Sequence, residues 1–466
     1  MKISIVLIGF VAGAIASFRI GLRHRPPTFK NVKSNIRTIY SRHGPLGQAN
    51  GAQCSLGPSE SRQNLTSRLS KTQEIWANDN EYFVALAVGT PNSQEFQVVI
   101  DTGSGDFWIP ETSCQYVTNS ELKRQNDVGC PQNCTKSFFC SSLCEKKCCS
   151  RTESLETSKP CPGDLFDRQN TGFVQVDKRL RELTYSEITV DVHYGKARVE
   201  LGDEEENDLF TIDNMIFGLA SRIRSVGGAT MDHNLEGIFG LAPISGHPRV
   251  SDPPISQIFQ AQGTPTDLRI FHIYLNYADD DGGEGGQIEY ATPLPNAEIC
   301  EQEGVSVSFY QTYSFCIYLN VYVDDGSDHG DLGQHAISAL VDSGSNFIFG
   351  PKDSIDPLAA KLGASPDSRN PTLYRIPCNV ENERDDVVFT VHNSPSKTLR
   401  VSSANYVIPN NDDDGDDNLC YFGFATIDER EWILGTPWMR EFCSSFDLSE
   451  QKMTFRKRLT SGNTQQ

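Results

Sequence analysis

No stretch of this sequence carries the roughly 18–20 consecutive apolar residues that a membrane-spanning helix needs, and no lipid-anchor tail closes it. Positive charge is scarce: 41 Lys and Arg face 61 Asp and Glu, a formal net charge of −20. That balance speaks against nucleic acid and anionic membrane as partners. Histidine is sparse too, nine in 466 residues, and none stands among the eight cysteines at 114, 130, 134, 140, 144, 148, 149 and 161. Their spacings are mostly C-x3-C and C-x5-C rather than paired C-x2-C, which argues for disulfides over zinc. The acidic runs Asp203–Glu206, Asp279–Asp281 and Asp412–Asp417 lack a calcium frame. With Gly415 at the sixth loop position, Tyr421 stands where the twelfth-position glutamate belongs. No metal and no cofactor are expected.

What is present begins with a secretory signal over residues 1–16. Lys2, the apolar run Ile3–Ile15 and an Ala14-Ile15-Ala16 cleavage pattern carry it. An oxidising compartment then suits fourteen cysteines. Asn64-Leu65-Thr66 and Asn133-Cys134-Thr135 are compatible glycosylation acceptors. Residues 17–59 hold no Asp or Glu but include Arg19, Arg23, Arg25, Lys30, Lys33, Arg37 and Arg42. Residues 71–466 hold 31 Lys/Arg against 60 Asp/Glu, a balance of −29. A basic strip over 17–70 leading an acidic body reads as an electrostatic clamp, with a basic arm for some outside anion as the alternative.

From Thr72 onward short runs such as Tyr82–Val88 and Glu95–Ile100 alternate with Gly, Pro and Asp, an all-β pattern. Helical stretches are few: Ile255–Gln262 and Ser354–Leu362. One block recurs. Val98-Val99-Ile100-Asp101-Thr102-Gly103-Ser104 returns as Ala339-Leu340-Val341-Asp342-Ser343-Gly344-Ser345. Gly237-Ile238-Phe239-Gly240 follows the first copy and Trp432-Ile433-Leu434-Gly435 the second. Asp101 precedes Gly240 by 139 residues and Asp342 precedes Gly435 by 93, a difference of 46 that equals the stretch between Cys114 and Cys161. Two related lobes, 71–270 and 271–466, account for this, with a cysteine-rich insertion at 115–160 in the first.

A single Asp-Thr-Gly-Ser after a strand is ordinary turn chemistry. Two copies in one hydrophobic frame place two acids at equivalent strand ends, each beside a glycine that lets backbones approach. Carboxyls at hydrogen-bond distance cannot both ionise, so they share one proton, and one serves as base while the other serves as acid.

On these motifs the chain resembles the pepsin family of aspartic proteases over essentially its full length outside the insertion. The resemblance implies a two-lobed all-β fold with a cleft between pseudo-twofold-related lobes. It implies Asp101 and Asp342 as the catalytic pair, hydrolysing internal bonds of protein or peptide substrates in acid, in a secreted or acidic-vesicle monomer. Thr102 and Ser343 become hydroxyls that grip the opposite lobe, beside Gly103 and Gly344. Ser104 and Ser345 orient the outer carboxylate oxygens. Tyr194-Gly195 matches the tip of the hairpin that closes over substrate, and Trp108 the tryptophan that holds its tyrosine. Tyr82-Phe83, Gly89-Thr90-Pro91 and Ile216-Phe217-Gly218-Leu219 are further matches. Four positions depart: Lys196-Ala197 replaces a small residue and a second glycine, Ser343 stands where Thr is commoner, and Thr436 where Asp is frequent.

Phe18-Arg19-Ile20-Gly21-Leu22-Arg23 resembles the start of the family's propeptides, which implies a zymogen processed between Ser67 and Ile75. Cys378 with Cys420 matches a usual bridge, and Cys300 with Cys443 is the next pairing. Cys114 and Cys161 bound the insertion, whose internal connectivity and role stay open. Cys54 and Cys316 are left over. The rival reading is a catalytically silent binding protein on the same fold, using its cleft or the insertion. Such proteins lose an aspartate or its glycine, and all four are present here.

Overall fold

The computed structural model describes residues 71–459 apart from 79–80, 121–154, 186–187, 203–209, 226–234, 278–282, 310–313, 324–335, 369, 381–383, 393, 410–417 and 428–430. The expected signal, propeptide, glycosylation acceptors, acidic runs, Cys54 and six of the insertion's cysteines lie outside the described residues.

Strands dominate. The first nine are β1 (Lys71–Asn78), β2 (Glu81–Val88), β3 (Gln94–Asp101), β4 (Phe107–Ser120), β5 (Leu155–Pro160), β6 (Val174–Thr184), β7 (Ile188–Leu201), β8 (Thr211–Ser225) and β9 (Ile238–Gly240). With β10 (Ile270–Leu275), β11 (Gly283–Tyr290), β12 (Val305–Ser308) and the C-terminal strands Phe442–Asp447 and Lys452–Lys457 they form one 14-stranded sheet. Strand β1 lies inside it, antiparallel to β2 on one side and to β11 on the other. A seven-stranded sheet contains β13 (Cys316–Val323), β14 (Ile337–Val341) and β15 (Ile348–Pro351), and a four-stranded sheet completes the second half. The two expected helices form at Pro254–Ala261 and Lys352–Leu362. Among the described residues no helix is long and apolar enough to cross a membrane.

The sequence repeat is a structural repeat. In the first half β3 pairs in parallel with β9, putting Ile100 opposite Phe239 and Asp101 opposite Gly240. In the second, β14 pairs in parallel with Trp432–Leu434, putting Val341 opposite Leu434. Each inner strand is also antiparallel to the strand that follows the aspartate: β9 to β4, and Trp432–Leu434 to β15. Parallel pairs need crossover connections, and here the long chain between aspartate and glycine supplies them. Of the first four residues of strand β3 Phe96 alone is buried, whereas Val98, Val99, Ile100 and Asp101 all are. Its half-solvated beginning thus runs into a fully buried end that carries the acid.

A buried histidine lies in the large sheet. His272 of β10 has no exposure; its Nδ1 is 2.6 Å from Ser445 Oγ and its Nε2 2.9 Å from Thr292 O. Burial pulls its pKa from 6.5 to about 4. The unfolded chain therefore takes up this proton at a higher pH than the native one. Stability contributed by the neutral ring is present above about pH 6.5 and is lost as pH falls towards 4, about 3 kcal/mol in all. Thermal midpoints recorded over that window should fall less steeply for His272→Gln than for the unaltered chain; parallel slopes would refute the assignment.

Candidate active site

Asp101 ends β3 and Asp342 follows β14, and both are fully buried. The donors around them are equivalent. Gly103 N–H donates to Asp101 Oδ1 at 2.8 Å, and Gly344 N–H to Asp342 Oδ1 at 2.9 Å. The Ser104 hydroxyl donates to Asp101 Oδ2, and Ser345 to Asp342 Oδ2 at 2.6 Å. The two carboxyls hydrogen-bond each other. A Cβ placed on Gly103 would lie 2.7 Å from Asp342 Oδ1 and 3.1 Å from Asp101 Oδ1, so glycine is required for the pair to close. Burial pushes Asp101 well above the usual carboxylate range, and the adjacent Asp342 adds to this. Burial also raises Asp342, while hydrogen bonds from Asp101, Ser345 and the Gly344 backbone pull it back. The pair therefore holds one proton across a pH range in which an exposed carboxyl has lost its own.

Four reciprocal bonds lock the two halves behind the carboxyls. Thr102 Oγ1 donates to Val341 O at 2.9 Å and accepts from Ser343 N–H at 2.9 Å. Ser343 Oγ donates to Ile100 O at 2.9 Å and accepts from Thr102 N–H at 3.0 Å. All four are buried, so Ser343→Ala strands a carbonyl and an N–H without water. Each orphan costs about 1–3 kcal/mol. Chemical denaturation should show Ser343→Ala destabilised by about 2–4 kcal/mol and Ser343→Thr close to the parent. An alanine variant of unchanged midpoint would show that the grip contributes nothing.

The hairpin over the site departs from the sequence-based expectation. Tyr194 lies within β7, opposite Gly218 of β8, and not at a turn. Its hydroxyl donates to Asp106 Oδ1 at 2.7 Å. The turn joins β6 to β7, and there Tyr185 N–H donates to Ile188 O at 2.8 Å. Trp108 Nε1–H donates to the Tyr185 hydroxyl at 3.0 Å, and Tyr185 also hydrogen-bonds the Ser104 side chain. The tyrosine that Trp108 holds is thus Tyr185 and not Tyr194. Gly195 likewise serves packing: a Cβ there would lie 2.0 Å from the Phe173 ring. The physical reason is the turn's composition. Tyr185-Ser186-Glu187 contains no glycine, and the Tyr-Gly pair of this region falls in the strand interior. The signal that was available is two strand-like runs, Leu180–Thr184 and Ile188–Val192, separated by a short polar break. Asp106 has no sequence signal either, because an acid two residues before a tryptophan has no pattern of its own.

Three disulfides are present among the described residues: Cys114–Cys161, Cys300–Cys443 and Cys378–Cys420. Cys114–Cys161 closes the base of the β4–β5 hairpin from which the insertion emerges. Cys316 is buried with its sulfur 3.0 Å from Ser314 Oγ.

Comparison with known proteins places this architecture. The model of the eukaryotic aspartyl protease family matches residues 81–458. Aspartic protease 2 of Necator americanus is 25% identical over 381 residues, covering 80% of this chain and 82% of that protein. Pepsin A of Sus scrofa is 25% identical over 384 residues, 80% of each. Cathepsin E of Mus musculus is 24% identical over 435 residues, 88% of this chain and 91% of that one. The crystal structure of an aspartic proteinase from Irpex lacteus superposes with a TM-score of 0.59 at 14% identity, over 85% of this chain and all of the other. The likeness at that identity concerns the fold: all-β and bilobal. By its repeated aspartate units and by a family match spanning most of its length, the chain belongs to the eukaryotic aspartyl proteases.

Proposed function

We propose that the protein is an aspartic endopeptidase that cuts internal peptide bonds in acid and is made as a zymogen. The observation that carries this reading is the pair of buried, mutually hydrogen-bonded carboxyls held by matching sets of donors. With one proton between them, the ionised carboxyl takes a proton from a water lying between the two side chains. That water attacks the amide carbonyl carbon. The neutral carboxyl hydrogen-bonds the carbonyl oxygen, and the departing nitrogen is protonated as the C–N bond breaks. Base and acid both come from the chain, so the scheme is complete without a cofactor.

Tyr185, held by Trp108 and linked to Ser104 and so to Asp101, is the residue that closes over substrate. The zymogen reading rests on the charge division: acid protonates body carboxylates and releases the basic strip. Processing at or before Lys71 keeps β1 whole, whereas a cut nearer Ile75 would strip residues paired with β11 from Lys71 onward. Secretion, or residence in an acidic vesicle, follows from the signal and the disulfides, and the protein acts as a monomer on peptide substrates.

Purified full-length protein shifted to pH values between about 2 and 6, where such a pair shares one proton, should shorten itself and then cleave a peptide library. Peptides left intact at every pH would favour a silent binding protein on this fold.

A further inference from the structure

Beneath the hairpin lies a third buried acid that the mechanism above does not use. Asp106 is 5% exposed and stands five residues after Asp101, just before β4. Its Oδ1 accepts from the Tyr194 hydroxyl at 2.7 Å and the Ser245 hydroxyl at 2.8 Å, and its Oδ2 from Gly246 N–H at 2.6 Å. Tyr194 and Ser245 are themselves buried. The segment fixed in this way continues into His247, whose backbone N–H donates to Ser245 Oγ at 3.0 Å. The His247 ring packs edge-on against Tyr194 at 5.9 Å, and its Nε2 lies 3.0 Å from the carbonyl oxygen of Glu182. Glu182 belongs to β6, three residues before Tyr185. Among the described residues strand β6 is the last of its sheet, with β7 as its one neighbour in the strand order, so a contact on its other side supplies what a further strand would.

We infer that Asp106 is a positioning residue for the substrate-covering hairpin, acting through Tyr194, Ser245, Gly246 and His247 to set the height of Tyr185 over the two catalytic aspartates. The inference rests on the protease reading for its kinetic consequences but not for its structural one. Two routes run from the carboxylate. Tyr194 fixes β7, which lies opposite Gly218 of β8, itself opposite Trp108 of β4. The 245–247 segment fixes β6. Both strands of the hairpin are thereby tied to the loop that carries Asp101, and the tie consists of directed bonds to one carboxylate rather than apolar packing alone. Such bonds hold an orientation where packing of a satellite cluster would tolerate sliding.

The test compares Asp106→Ala with Asp106→Asn in the full chain. The amide reproduces all three bonds: its oxygen accepts from Gly246 N–H and its NH₂ donates to the two hydroxyls, which rotate to accept. Hydrogen–deuterium exchange of the Arg181–Thr184 amides should speed up about tenfold in the alanine variant, the equivalent of one lost hydrogen bond, and return towards the parent rate in Asp106→Asn. Peptide hydrolysis by Asp106→Ala should fall about 10- to 100-fold in kcat/KM with KM rising, since small misplacement of a positioning group has that effect. In a Tyr185→Phe background the same alanine substitution should cost much less, because the residue it positions is already altered.

Unchanged exchange at 181–184, exchange accelerated uniformly along the chain, or full additivity with Tyr185→Phe would each overturn the inference. Should Asp106→Ala fail to fold, Tyr194→Phe and Ser245→Ala remove one bond each, and a local rise in exchange is expected of both; none in either would overturn it equally. Faster exchange in Asp106→Ala than in a parent protein that itself hydrolyses nothing would sink the protease reading and leave the inference standing.

Discussion

Asp101→Asn is expected to lower kcat/KM for peptide hydrolysis by about 10³- to 10⁴-fold, the scale of a lost acid–base partner, while the protein folds as before. Geometry explains both halves of that result. The amide oxygen keeps the bond from Gly103 N–H, and the Ser104 hydroxyl rotates to accept from the amide nitrogen. What the amide cannot do is exchange a proton with water or with Asp342. The self-shortening proposed for the full-length chain should stop at the same time, since it needs the same chemistry. A variant that still cleaved peptides at a tenth of the parent rate would show that the pair is not the engine.

The same substitution should change stability with the opposite sign at neutral pH. Asp101 in the folded chain titrates well above its ordinary 3.8 because it is buried beside Asp342. A raised folded value contributes stability that is full below 3.8 and is lost as pH rises through the folded value. Asparagine has no charge to bury. Thermal midpoints of Asp101→Asn should therefore decline less between pH 4 and pH 8 than those of the parent. This opposes the effect of His272, whose lowered value weakens the fold on the acid side.

Gly435→Ala should produce the largest loss of stability. A Cβ at Gly435 would lie 2.2 Å from both Ser345 O and Phe347 O. These are backbone atoms of the loop that follows Asp342, and Ser345 O already accepts from Thr436 N–H at 2.7 Å. No side-chain rotation relieves the clash, so the loop must move. The backbone of Gly435 sits at φ −84°, which any residue adopts, so the penalty is steric rather than conformational. Forced displacement in a packed interior costs about 1–3 kcal/mol, and with the hydrogen bonds it breaks the loss should approach 4–5 kcal/mol. Its counterpart Gly240 faces Ser104 O at 2.6 Å and Asp106 N at 2.5 Å. Denaturant midpoints of Gly240→Ala and Gly435→Ala should both fall steeply. A fully stable alanine variant at either position would contradict the claim that each glycine strand underlies its aspartate loop.

The kind of residue at the centre of the site was legible because its demands are local. An acid at a buried strand end needs apolar residues before it and a glycine after it, and that grammar repeats within the chain at Asp101 and Asp342. Gly240 and Gly435 were legible for a related reason, since a glycine that must admit backbone leaves a fixed hydrophobic frame around itself. Tyr185, Asp106 and His247 obey no such grammar. Each acquires its place from partners far along the chain: Trp108 for Tyr185 at a separation of 77, Gly246 for Asp106 at 140, Glu182 for His247 at 65.

The linear chain alone thus determined the class of fold, its doubling and the two acids at its axis, because those follow from hydrophobic period and from where glycine stands. Which tyrosine faces the acids, and what holds it there, was decided only when the strands paired. Register between strands depends on turns, bulges and burial summed over the whole sheet. A hydrogen bond across such a register cannot be read from either of its ends.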